Sequence, residues 1–79
     1  VPVPDQPIDL ALAAVLRRLR EAQGLSQEAT AQRAGISLNS YSRIERGNAA
    51  PAWATVQRIA DALNVSMAEL GGVVDAERK

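Results

Sequence analysis

Three glycines set the scale of the middle of this chain. Gly24, Gly35 and Gly47 fall at near-equal intervals, each where a helix would stop. The segments between them hold room for only about two turns of helix. Each segment begins with a serine suited to cap a helix start, Ser26 for helix 2, which stops at Gly35, and Ser37 for helix 3, which stops at Gly47. Glu28 stands in the first turn after Ser26, where a negative charge suits the helix dipole. Two helices this short bury little by themselves, so they must share a core with their neighbours.

Those neighbours also read as helices. In residues 9–23, Leu12, Leu16 and Leu19 recur at helical spacing, with Val15 a further candidate for the same stripe. Asp9 can cap the start of that helix and Gly24 can end it. After helix 3, Asn48-Ala49-Ala50 reads as a loop, and Pro51 suits the first turn of helix 4. Trp53, Val56, Ile59 or Ala60, and Leu63 carry helix 4 to its end at Asn64. Ser66 and Glu69 form a capping box opening helix 5, and Gly71-Gly72 ends it. No stretch alternates like a strand, and there is no internal repeat or low-complexity tract.

The expected fold is therefore all-α, a compact five-helix domain. Its core is Leu12, Leu16, Leu19, Leu25, Ala31, Ile36, Ile44, Val56, Ile59, Leu63 and Leu70, with Tyr41 and Trp53 at its edge. Three units follow: a flexible arm over residues 1–8, a domain over 9–72 and a weakly specified tail over 73–79. Pro2, Pro4 and Pro7 forbid a regular helix in the arm, and no basic leader marks it as a signal peptide.

Composition narrows the chemistry. The 79 residues include no cysteine and no histidine. Thiol nucleophiles, disulfides, cysteine zinc sites and the commonest general base are all missing. No acid–base pair, metal-ligand set or phosphate loop stands out, so we expect no enzyme, no catalytic residue, no metal and no cofactor. No apolar run reaches the about 20 residues that cross a bilayer. The expected location is cytoplasmic and nucleoid-associated, with no membrane partner.

Formal net charge is +0, but the charges are partitioned. Residues 17–58 hold seven arginines against three acids, a net of +4, while the segments before and after each carry −2. A polyanion would be drawn to one part of such a surface.

Helices 2 and 3 explain what would be done there. Ala31 is small where the two helices cross, Gly35 permits the turn, and Ile36, Tyr41 and Ile44 pin the second helix. Turning Tyr41 and Ile44 inward leaves Leu38, Asn39, Ser40 and Arg43 outward, with Ser42 and Arg46 at the margins. Asn39 can pair with an adenine edge, Arg43 with guanine, and Leu38 can press on a thymine methyl. Ser40 can reach a base or a phosphate. Ser26, Gln27, Ser42, Arg46 and Asn48 are placed for phosphate oxygens, Gln27 helped by free backbone N–H groups at the start of helix 2. Arg17 and Arg18 read first as solvated helix charge, with a phosphate contact as the alternative; Arg33 can reach the backbone at the edge of the site, and Arg58 reads as a surface residue.

These residues carry a resemblance. Gly24-Leu25-Ser26-Gln27-Glu28, Ala31, Gly35-Ile36-Ser37, Ser42-Arg43-Ile44-Glu45-Arg46-Gly47, Pro51, Ile59-Ala60, Ala62-Leu63, Val65-Ser66 and Glu69-Leu70 resemble the lambda-repressor/Cro-like, or Xre, helix-turn-helix family. The match spans residues 24–70 and extends to Leu16 and Leu19-Arg20 in helix 1. It implies a five-helix domain that binds palindromic operators as a homodimer, with Gln27 on phosphate and Leu38, Asn39, Ser40 and Arg43 facing bases. It also implies a structural ion pair between Arg20 and Glu45. The chain departs from the family at Thr30, at Ala52 (where a serine or threonine cap is usual) and at Leu38, which is apolar at the first reading position.

Met67, Leu70, Val73 and Val74 form an apolar edge that either closes the core or meets a second copy; two glycines followed by two valines favour a dimer seam. Trp53 reads as core from its spacing, with stacking or dimer contact as the alternatives. The function expected is a sequence-specific, DNA-binding transcriptional regulator. It is a repressor of restriction–modification controller, antitoxin or phage/developmental type, acting on double-stranded DNA as a homodimer. A protein-interaction adaptor, with a protein partner in place of DNA, is the second class.

Overall fold

The structure, a computed structural model, describes residues 9–78; the expected arm over residues 1–8 and the last residue of the tail lie outside that range. Five helices follow in order: α1 (Leu10–Ala22), α2 (Gln27–Ala34), α3 (Leu38–Glu45), α4 (Trp53–Ala62) and α5 (Met67–Glu77). Four of the five starts are capped by a side chain. Asp9 accepts from the Leu12 amide, Ser26 from Ala29, Ser37 from Ser40, and Ser66 from Glu69, each at 3.0 Å. Glu69 answers with a bond from the Ser66 amide at 3.2 Å, completing the capping box. The fifth cap is Ala52, which has nothing to offer α4. Pro51 accordingly lies one residue outside the α4 cap and not in its first turn, because Ala52 is still extended.

The helix ends reuse one closure. At Gly35 the backbone turns left-handed, with φ +73°, so that the Ile36 amide reaches back to the Ala31 carbonyl at 3.1 Å. Leu25 closes on Arg20 and Val65 on Ala60 in the same way. Leu25, Ile36 and Val65 then fold onto the core, so the bond that ends each of these three helices also aims an apolar side chain inward.

α2 lies against α3 and α4, α1 packs on α3 and α5, and α4 meets α5. Val15, Leu16, Tyr41, Ile59 and Leu63 at the centre are fully buried. Leu12, Leu19, Leu25 and Ile36, expected in the core, are half-buried and packed against it. Ala13, Ala34, Ala60, Ala62 and Val74 join it. Thr30 is buried too, and its hydroxyl donates to the Ser26 carbonyl at 3.0 Å, which removes most of the cost of a polar group in that position.

Three further expectations need correction. Tyr41 is not at the core's edge but fully buried at its centre, on a helix packed against both α1 and α2. Trp53 is the reverse: it opens α4 and stands 68% exposed. Helix 5 does not stop at Gly71-Gly72, so residues 73–77 are helix and not tail. Each glycine costs a helix interior about 1 kcal/mol against alanine, but carrying the helix on buries Val74 one turn beyond Leu70. The added turn is also tied to α1, by Glu77 on Arg18 and by Arg78 on Asp9.

Candidate nucleic-acid interface

Helix α3 has one face in the core and one in solvent. Tyr41 and Ile44 point inward, while Leu38, Asn39, Ser40 and Arg43 are all exposed, as the helical spacing requires. Leu38, a large aliphatic group, is 46% exposed. The Asn39 amide and Arg43 guanidinium have no hydrogen-bond partner among the described residues, so their donors and acceptors are free. Ser40 accepts a bond from the Ser37 hydroxyl at 2.9 Å and keeps its own proton for an outside acceptor.

The single acid of this helix is removed from the surface. The Glu45 side chain is 2% exposed and lies on Arg20 of α1, with N–O distances of 2.7 to 3.2 Å. Gln27 donates to the same carboxylate at 3.1 Å, and Arg20 also donates to the Leu25 carbonyl at 2.8 Å. Burial alone would push the Glu45 carboxyl up. The bonds from Arg20 and Gln27 outweigh it and hold the pKa below the ordinary value. The carboxylate in turn raises Arg20 above its usual value, against the opposing effect of burial. Burial, then the nearby Glu45 charge, keeps the Tyr41 phenol protonated far above the usual range. Its hydroxyl is close enough to feel that charge but has no hydrogen-bond partner within reach among the described residues. The expected Arg20–Glu45 pair is therefore present, and it locks α3 onto α1.

The remaining polar positions divide between two clefts. Gln27, Arg46 and Asn48 come together with Arg17, Arg20 and Glu45 around a cleft of about 610 Å³. Ser40 and Arg43 border a smaller one against Ala49, Ala50 and Pro51. Ser26 is exposed but its oxygen already serves as the α2 cap, and half-buried Ser42 gives its carbonyl to Arg46 at 3.3 Å. Arg33, Arg43, Arg46 and Arg58 make no ion pair among the described residues, whereas Arg17, Arg18, Arg20 and Arg78 each do. The unpaired cations thus gather in the middle of the chain.

Two neighbours of the reading face were missed. Glu28 and Gln32 stand beside Leu38 with Ala31 and Ile36, forming a notch at the start of α3. Their spacing of four residues puts them on one face of α2, which was the available signal.

The apolar edge of α5 needs correction as well. Leu70 and Val74 face this chain's own core, because they share the inward stripe of a helix that runs on past the glycines. Val73 is 40% exposed and Met67 is half-buried. A groove of about 250 Å³ borders Met67, with Trp53, Leu12 and Val56 on its walls. Among the described residues no acidic cluster suits a metal ion, and no helix is long and apolar enough to cross a membrane.

Comparison with known proteins points the same way. A family model described as a helix-turn-helix domain matches residues 11–71. The uncharacterized HTH-type transcriptional regulator YazB of Bacillus subtilis is 44% identical over 55 residues, covering 70% of this chain and 80% of YazB. The cryptic phage CTXphi transcriptional repressor RstR of Vibrio cholerae is 40% identical over 57 residues, covering 72% of this chain and 51% of RstR. Among solved structures, the restriction–modification controller protein C.Esp1396I, a tetramer in complex with its 35 base-pair operator, superposes with a TM-score of 0.85. That match covers 92% of this chain and 96% of the controller at 20% identity, and shows the shared fold.

Proposed function

This chain belongs to the helix-turn-helix domain family, of the lambda-repressor/Cro-like kind its sequence resembles, and from that premise we propose that it is a sequence-specific DNA-binding transcriptional regulator. One observation carries the reading. The exposed face of α3 presents Leu38, Asn39, Ser40 and Arg43, while the helix's only carboxylate is buried and neutralised. A helix entering the major groove needs both halves of that arrangement: free base-reading groups in front, and no uncompensated negative charge against the phosphates.

In this reading α3 lies in the major groove with Asn39 and Arg43 as base readers and Leu38 against a thymine methyl. Gln27, Arg46 and Asn48 take the sugar-phosphate backbone, with Ser26 and Ser42 at the periphery. The protein acts as a repressor on a palindromic operator. It does so as a homodimer, with the two α3 copies in successive grooves about 34 Å apart. The seam is drawn from the C-terminal apolar residues, of which Val73 is exposed and Met67 half-buried, with exposed Trp53 of α4 bordering the same groove as Met67. No catalytic step is assigned to it, and it works in the cytoplasm. Membership of a regulator family, the partitioned charge and the free donors on α3 support the DNA-binding part of this reading.

Selection of bound duplexes from a random pool tests the proposal. The expected winner is a two-fold symmetric site. Asn39→Ala should then lose affinity for that site and keep its affinity for scrambled DNA. Equal losses on both would remove Asn39 from the reading set, and a pool without enrichment would refute the function.

A further inference from the structure

The three arginines of α1 have three different fates. Arg20 is consumed by Glu45. Arg18 reaches α5 and pairs with Glu77 at 2.5 Å. Arg17 has only Glu21, one helical turn away at 3.5 Å, with the two side chains 65% and 53% exposed. A pair so open and so long holds its members weakly.

Arg17 also has somewhere to go. It borders the cleft that gathers Gln27, Arg46 and Asn48 over the buried Arg20–Glu45 pair. Three cations and one acid line that cleft, a net of +2, and the acid is the one already neutralised. Two guanidiniums, Arg17 from α1 and Arg46 from the end of α3, remain without a strong partner. The Gln27 and Asn48 amides add neutral donors. A phosphate group is the chemistry that such a set of donors and cations suits.

We propose that Arg17 is a DNA-backbone residue: with Arg46 it holds a phosphodiester in this cleft and extends the footprint of the protein from α2 and α3 onto α1. The proposal rests on the reading of the chain as a DNA binder. It assigns Arg17 to affinity and not to sequence choice, since a phosphate carries no base identity. Glu21 competes for Arg17 in the free protein and gives it up when the backbone arrives.

The test is a salt series on two duplexes, the one selected by the wild-type protein and a scrambled one. Removing one phosphate contact should flatten the slope of log K against log salt by about 0.9 on both duplexes. Arg17→Gln should show that loss with an unchanged ratio between the duplexes, and Arg17→Lys should restore the slope. Arg18→Gln, whose side chain is turned to α5, should leave it alone. An unchanged slope for Arg17→Gln overturns the proposal, as does an equal loss for Arg18→Gln or a collapse of the ratio between duplexes. If the wild-type protein binds neither duplex with salt-sensitive affinity, the parent reading fails instead.

Discussion

Glu45→Gln is the most informative single change, because it separates what α3 presents from what holds α3 in place. The substitution keeps the side chain's shape and one accepting oxygen but removes the charge. Arg20, with a side chain 13% exposed, is left with the Leu25 carbonyl and an amide in place of a carboxylate. Breaking a buried pair by removing one partner costs about 3–5 kcal/mol, and the isosteric amide puts this case near the lower end, about 3 kcal/mol. A domain of 79 residues has about 4–12 kcal/mol to lose, so the melting temperature should fall by about 12–24 °C. Far-UV circular dichroism melts measure it directly. Replacing both partners, Arg20→Met with Glu45→Met, should return stability to within about 1 kcal/mol of the wild type, since no charge is then stranded. The pH dependence supplies a second arm. Glu45 has a folded pKa below its ordinary value of 4.5, so the unfolded chain takes up the proton first as pH falls. The stabilising contribution is complete above that ordinary value and is lost as pH falls through the folded one. The gap between the wild type and Glu45→Gln should therefore hold from neutral pH down to the ordinary carboxylate range and close below it. A variant within about 0.5 kcal/mol of the wild type at neutral pH, or a gap that persists unchanged into strong acid, would refute the reasoning.

Three further outcomes follow from the fold. Ala52→Asp supplies the missing side-chain cap to α4 and should raise stability by about 1 kcal/mol in a denaturant melt. Gly35→Ala meets no atom within 4 Å, so the left-handed backbone alone should set its cost at about 1 kcal/mol, read by the same melt. Val74→Ala should cost about 2 kcal/mol while Val73→Ala melts like the wild type, because only the first is buried; Val73→Asp should instead weaken self-association in a sedimentation experiment.

What the sequence disclosed and what it hid have separate physical causes. Helix starts were legible because caps are local: Asp9, Ser26, Ser37 and Ser66 each bond an amide three residues on. The Arg20–Glu45 pair spans 25 positions and no local pattern encodes it; the family resemblance supplied it. The exposed face of α3 followed from its period. The end of α5 was hidden because a glycine pair carries opposite meanings by context. It ends a helix whose next residues gain nothing, and is tolerated when Val74 finds a core one turn on. Tyr41 and Trp53 were hidden for a related reason. Spacing places an aromatic on a face but does not say whether another helix covers that face: Tyr41, on a helix packed against α1 and α2, is fully buried, while Trp53 stands 68% exposed.

The net charge of zero, which argues at first sight against a nucleic-acid binder, is better understood as a division of labour among the arginines. Three arginines in α1 and at the end of α5 are spent on structure, each facing an acid on a different part of the chain: Arg20 on Glu45, Arg18 on Glu77, Arg78 on Asp9. Those on or beside α3 are left unspent. An acid that balances a structural arginine is not facing the duplex, so it subtracts from the total without weakening the field where DNA would sit. The same logic makes Arg17 the informative exception. It belongs by position to the structural group and by its weak partner to the unspent one, and the slope of a salt titration decides between them.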